Sequence, residues 1–246
     1  MSSTDSRRVS LITGADRGIG LALAHRLADA GHALILHSNE TEGLNKAVAD
    51  AGWSSDQVLT ATHDVADAEA VAAAVAAGVE RFGRIDDLLN VAGVAYYGGI
   101  LDTDLETWEK TLRVNLTGYF LMSREVLPHM KAAGRGTIVN MSSIWGKRGA
   151  PPGAMLAYAV SKFGIEGLTK CLIEEARPWG VKVSSIVLDK VDTGFRDNMR
   201  PHIDYSAEQR ARMLSADDVV DATVAVLNSS GRAHPSSIEL DAWLWA

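Results

Sequence analysis

The chain has 246 residues, 47% of them hydrophobic, and carries 24 Lys plus Arg against 31 Asp plus Glu, for a formal net charge of −7. That length fits one core of domain size, and the acidic balance argues against nucleic acid as a partner. The single Cys171 excludes an internal disulfide, Met1-Ser2-Ser3-Thr4-Asp5 lacks the apolar core of a signal peptide, and the longest charge-free apolar run, 70–79, is about half a bilayer span, so a cytoplasmic protein without a membrane segment is expected.

Residues 1–8 read as a flexible tail and 9–246 as one domain. Val9-Ser10-Leu11-Ile12 is a short buried strand that runs into Thr13-Gly14-Ala15-Asp16-Arg17-Gly18-Ile19-Gly20. Leu21, Leu23, Ala24, Leu27 and Ala28 then recur at helical spacing up to Gly31. Strand, glycine loop and helix form a cradle for a diphosphate, because glycines let the backbone approach the ligand and the helix start presents free N–H groups. The second strand, 33–36, ends at His37-Ser38-Asn39. A carboxylate at the end of this strand would hydrogen-bond an adenosine ribose and repel a 2′-phosphate. The chain has Ser38 there instead, with Arg17 in the loop, and this combination favours NADP(H) over NAD(H).

A helix is expected at 41–51, a strand at 58–62 and an Ala-rich helix at 67–82. Between the last two, Asp64 either accepts from an adenine amino group or begins the helix. A strand at 87–90 leads into Val91-Ala92-Gly93, and the following Tyr96-Tyr97-Gly98-Gly99 serves either as loop packing or as a pocket wall. The pattern over 104–133 predicts one long helix. Asn115 is out of place inside it, because its amide competes for backbone hydrogen bonds.

The strand 136–141 delivers Ser142 and Ser143 at its C-terminal end, where open parallel sheets bind ligands. A helix then carries Tyr158 and Lys162 on one face and stops at Pro178 and Gly180. An ammonium one turn from a phenol favours the phenolate and moves its pKa toward the range useful for proton transfer. A strand at 181–188, helices at 207–214 and 217–227 and a strand at 237–240 complete an α/β alternation that reads as a doubly wound parallel sheet.

Thr13-Gly14-x-x-x-Gly18-Ile19-Gly20, Asn90-x-Ala92-Gly93, Asn115, Ser143 and Tyr158-x-x-x-Lys162, in this order, make the chain resemble the short-chain dehydrogenase/reductase family. The likeness extends to 3-oxoacyl-[acyl-carrier-protein] reductases and related carbonyl reductases, and it runs from Val9 to Leu240. It implies a single-domain Rossmann-like sheet of about seven strands with helices on both faces. It also implies an NAD(P)(H)-dependent enzyme that interconverts a carbonyl and a secondary alcohol. By resemblance, Tyr158 exchanges the proton and Lys162 lowers its pKa while binding the nicotinamide ribose. Ser143, which lies three before Gly146, holds the substrate oxygen, and Asn115 holds a water that relays protons to Lys162.

The implied cofactor contacts are Gly14, Asp16, Arg17, Gly18, Ile19, Gly20, Ser38, Asn39, Asp64, Val65, Asn90, Ala92, Gly93, Tyr158, Lys162, Val191 and Thr193. Ser143, Trp145, Tyr96 and Met155 face the substrate, and no metal is expected. A homodimer or homotetramer is implied, through the helices carrying Asn115 and Tyr158. One departure stands out: Leu188-Asp189 occupies the place where many relatives have Pro-Gly beside the nicotinamide. The alternative reading drawn from it is a dinucleotide-binding sensor or scaffold with little turnover. The ending Leu240-Asp241-Ala242-Trp243-Leu244-Trp245-Ala246 also lacks the family's glycines, and its two tryptophans either cover a neighbouring subunit or close the pocket.

Overall fold

Apolar strand runs without alternation need cover on both faces, which a parallel sheet between two helical layers provides. A computed structural model, describing residues 7–195 and 204–245, has this arrangement. The strands are β1 (Val9–Thr13), β2 (Ala33–Ser38), β3 (Val58–Thr62), β4 (Asp87–Asn90), β5 (Gly136–Ser143), β6 (Val181–Leu188) and β7 (Ser237–Leu240). They form one sheet in the order β3-β2-β1-β4-β5-β6-β7, parallel throughout.

The helices divide between the two faces. On one, α3 (Ala68–Phe82), α5 (Gly118–Ala133) and α7 (Leu156–Ala176) cover Val9, Leu11, Ile35, Leu88, Ile138 and Val183. On the other, α1 (Gly18–Asp29), α2 (Thr41–Ala51) and α9 (Ala216–Leu227) cover Ile12, Leu34, Leu36, Leu89, Val139 and Ile186. Adjacent strand residues thus feed opposite cores, which is why the inner strands are buried at nearly every position and mostly apolar. Asp67 caps α3 by accepting from Glu69 N and Ala70 N, so the helix begins one residue later than the pattern suggested.

Two expected helices differ from the observed elements. The segment 104–133 is not continuous: α4 (Leu105–Leu112) is followed by a π-turn at Arg113–Thr117 before α5 starts. The extra residue of a π-turn makes room for Asn115, which is fully buried. The expected helix at 207–214 is only a capped turn, α8 (Ala207–Arg210), because Leu214 leaves to form a bridge with Val191. A further turn, α6 (Trp145–Arg148), precedes α7. Within the tail, residues 1–6 lie outside the described residues, whereas Arg8 pairs with buried Asp87 at 2.5 Å.

Candidate active site

The C-terminal ends of β1 and β4 diverge at the point where strand order reverses, the place where open α/β sheets take their ligands. Thr13 closes the floor, its Oγ1 accepting from Val91 N at 2.9 Å and Ala92 N at 3.0 Å. Gly14 and Gly18 have φ of 67° and 55°, the left-handed region. A Cβ on Gly20 would stand 2.1 Å from Gly14 O. The loop therefore folds tightly against the start of α1 and leaves a concave backbone surface, which fits a dinucleotide diphosphate.

Sixteen of the seventeen expected cofactor residues line this cleft of about 860 Å³; the exception is Asn90. Its amide is fully buried and donates to Asn140 Oδ1 at 2.9 Å, joining β4 to β5 beneath the wall rather than forming part of it. At the end of β2, Ser38 Oγ donates to Asp16 Oδ1 at 2.7 Å, so a carboxylate does reach the strand end, supplied by the glycine loop. Arg17 Nε stands 3.7 Å from the other oxygen of Asp16. Asp64 accepts from Ala66 N and is ion-paired to Arg113 of the π-turn. Asp67 rather than Asp64 caps α3, so Asp64 does not begin that helix; it lines the cleft. His37, below the strand end, is held to a pKa of about 4 by burial and by neighbouring His63.

At the opposite end, Lys162 is buried on α7 and donates from Nζ to the Met141 carbonyl at 2.7 Å. The Tyr158 and Tyr119 rings lie 5.4 and 5.5 Å from that nitrogen. Burial lowers the Lys162 pKa to about 7, with Glu166 acting in the opposite direction. Tyr119, wholly buried, donates to the same Met141 carbonyl at 3.3 Å, and burial raises its pKa. Tyr119 lies one turn after Asn115, a spacing visible in the sequence.

Asn115 does not line the cleft. Its Oδ1 accepts from Val94 N at 2.8 Å, and its Nδ2 donates to Val94 O at 2.9 Å and to Ser161 Oγ at 3.0 Å. Ser161 in turn donates to the Tyr158 carbonyl at 2.6 Å. This chain ties the loop after β4 to the helix bearing Tyr158 and Lys162, and Ser161 was not anticipated.

Ser143 ends β5, and its Oγ accepts from Trp145 N at 3.3 Å. Tyr97, Trp145, Tyr158 and Phe195 pack around Ala95 and Met155, a small apolar cluster separate from the two main cores. A bridge between Gly98 and Met155 joins the two loops of this wall, and Tyr96 lies under the Lys110 ammonium. Ser143, Trp145, Tyr96 and Met155 all line the cleft, as do Val191 and Thr193. Residues 196–203, which follow Phe195, lie outside the described residues. Among the described residues no group of three or more His, Cys, Asp or Glu is arranged to hold a metal, and no helix is long and apolar enough to cross a membrane.

Residues 8–204 match the family model described as short chain dehydrogenase. The chain is 40% identical over 196 residues to trans-4-hydroxycyclohexanecarboxylate dehydrogenase of Sinomonas cyclohexanicum, covering 76% of this chain and 74% of that one. It is 40% identical over 182 residues to D-threitol dehydrogenase of Mycolicibacterium smegmatis, covering 73% and 68%. The solved structure of levodione reductase superposes with a TM-score of 0.86 at 29% identity, covering 96% of each chain.

Proposed function

The chain belongs to the short-chain dehydrogenase/reductase family, and from that premise we propose that Tyr158 exchanges the proton while a bound nicotinamide dinucleotide exchanges hydride with an apolar ketone or secondary alcohol. As a family member the protein is an oxidoreductase acting on CH–OH groups. The observation that carries the mechanistic reading is the Tyr158–Lys162 pair, at one end of the cleft whose other end is the glycine cradle. When bound, the cofactor supplies the hydride; the chain supplies orientation and the proton.

In the reducing direction the Tyr158 hydroxyl gives its proton to the carbonyl oxygen, and in the oxidising direction the phenolate takes it back. A protonated Lys162 lowers the cost of that phenolate, and its remaining N–H bonds hold the nicotinamide ribose. Ser143 Oγ already accepts from Trp145 N, which leaves its own proton to donate to the substrate oxygen. Asn115 acts through its ties to Val94 and Ser161, fixing the backbone that carries Tyr158. The cofactor is assigned as NADP(H) in preference to NAD(H). The support is Arg17 beside the ribose end of the cleft, with the Asp16 carboxylate already engaged by Ser38.

The aromatic wall favours compact apolar substrates. Exposed Phe120, Val160 and Phe163 on α5 and α7 favour a homodimer or homotetramer through those helices. Asp189 motivated the alternative of binding without turnover. Its carboxylate, however, accepts from Ala242 N at 3.4 Å and lies 3.5 Å from the Lys190 ammonium, so it is engaged by the chain itself. Steady-state assays with NADPH and a panel of cyclic, aryl and alkyl ketones decide between the two readings. Turnover abolished by Tyr158→Phe is expected; cofactor binding with no turnover across the panel would leave the sensor reading standing.

A further inference from the structure

Resting on the dinucleotide reading above, we propose that the C-terminal turn Trp243–Trp245 braces the cofactor loop 189–193 through Trp245, Lys190 and Asp189, making these three positioning residues for the nicotinamide end of the site. The loop leaves β6 at Asp189, whose N–H donates to Leu240 O at 3.0 Å and whose carboxylate accepts from Ala242 N. The Lys190 ammonium, held beside that carboxylate, stands 4.7 Å from the Trp245 ring centroid. Trp245 meets Tyr205 edge-on at 5.7 Å, and Tyr205, Asp189 and Lys190 all line the cleft.

On the opposite side the same loop is pinned by Leu214 N donating to Lys190 O at 2.9 Å and Asp192 N donating to Leu214 O at 2.8 Å. The loop then reaches the glycine cradle: a Cβ placed on Gly18 would lie 3.5 Å from Thr193 Cβ. The turn thus connects through the loop to the diphosphate cradle. A glycine at 189 would supply neither the acceptor for Ala242 nor the anion beside Lys190, which gives the carboxylate at this position a purpose. The two tryptophans also separate in role, since Trp243 is 88% exposed whereas Trp245 is partly buried against the loop.

The test is an equilibrium titration with NADPH of the full-length wild type, Trp245→Ala, Trp245→Phe and the control Trp243→Ala, each followed by nicotinamide emission excited directly and through indole. Trp245→Ala is expected to weaken NADPH binding about tenfold and raise the cofactor KM more than it lowers kcat, an effect the size of a desolvated cation–ring contact. Trp245→Phe restores most of the affinity, while Trp243→Ala leaves it unchanged. Should Trp245→Ala fold poorly, Lys190→Met reports the same contact and is expected to weaken NADPH similarly. Wild-type binding with Trp245→Ala and Lys190→Met indistinguishable from Trp243→Ala overturns the brace alone. Failure of the wild type to bind either dinucleotide overturns the cofactor reading and the brace together.

Discussion

The Lys162 ammonium lies 5.4 Å from the centroid of the Tyr158 ring, one turn along α7, with its pKa lowered by burial to about 7. An unfolded lysine titrates near ~10.4. Between about pH 7 and 10 the unfolded chain therefore holds a proton that the native chain has released, so stability rises with pH across that window. Below it both states are protonated and the native state bears the full penalty of a buried charge. Lys162→Met is expected to melt above the wild type at pH 6, with the gap closing by pH 10. Scanning calorimetry of the two proteins without cofactor at pH 6, 8 and 10 measures this, and a gap independent of pH would refute the assignment.

Tyr158→Phe removes the hydroxyl and keeps the ring that packs near Phe195. The expected loss is in kcat, about 10²–10⁴-fold as for a general acid–base group, with NADPH affinity little changed. Single-turnover hydride transfer, followed by loss of NADPH absorbance, separates this from a binding defect. A variant retaining more than a tenth of wild-type kcat would remove Tyr158 from the proposed mechanism.

A side chain at Gly20 has no room, since its Cβ would stand 2.1 Å from Gly14 O. Gly20→Ala must displace the backbone of the cradle, and a loss of at least about tenfold in dinucleotide affinity is expected. Gly167→Ala is the matched control: it lies within α7 and meets nothing within 4 Å. That exchange is expected to leave affinity unchanged and to raise the melting temperature slightly, because alanine is the better helix former. Equal affinities for the two variants would argue that the glycine loop is not the diphosphate cradle.

The five inner strands were legible because burial on both faces writes a largely apolar run, the edge strands β3 and β7 as short runs between helical segments although only partly buried, and most helices because one stripe must face the sheet. The π-turn at Arg113–Thr117 was not, since one extra backbone residue leaves no apolar period of its own; only the misfit of Asn115 marked the place. Asn90 stands off the cleft wall for a related reason. The motif brings it within three residues of Gly93, but strand register pairs it with Asn140 and turns its amide beneath the cleft. The carboxylate at the end of β2 escaped as well, because Asp16 arrives there from another element, 22 positions earlier than Ser38. Motif spacing reports what is close along the chain, while these three features depend on what folding brings alongside.

Phe120, Val160 and Phe163 are 46%, 42% and 47% exposed on the outer faces of α5 and α7. Large apolar groups grouped on one face of a monomer are costly to leave in water. Phe163→Asp is expected to shift the species seen by light scattering from a dimer or tetramer to a monomer, with far-UV circular dichroism preserved. A wild type that is monomeric at micromolar concentration would refute the proposed assembly.

The cofactor preference turns on two adjacent residues of opposite charge, Asp16 and Arg17, whose side chains lie 3.7 Å apart beside Ser38. A 2′-phosphate gains from the guanidinium and is repelled by the carboxylate; a 2′-hydroxyl gains from the carboxylate alone. Asp16 already accepts from Ser38, and Arg17 is 58% exposed at the rim, which favours the phosphate. The wild type is therefore expected to bind NADPH more tightly than NADH, and Arg17→Leu to lose about tenfold in NADPH affinity, the scale of one charge-assisted contact. Asp16→Asn removes the repulsion and is expected to widen the preference for NADPH. If instead NADH binds more tightly and Asp16→Asn erases that preference, Asp16 has taken the role of the strand-end carboxylate and the cofactor is NAD(H).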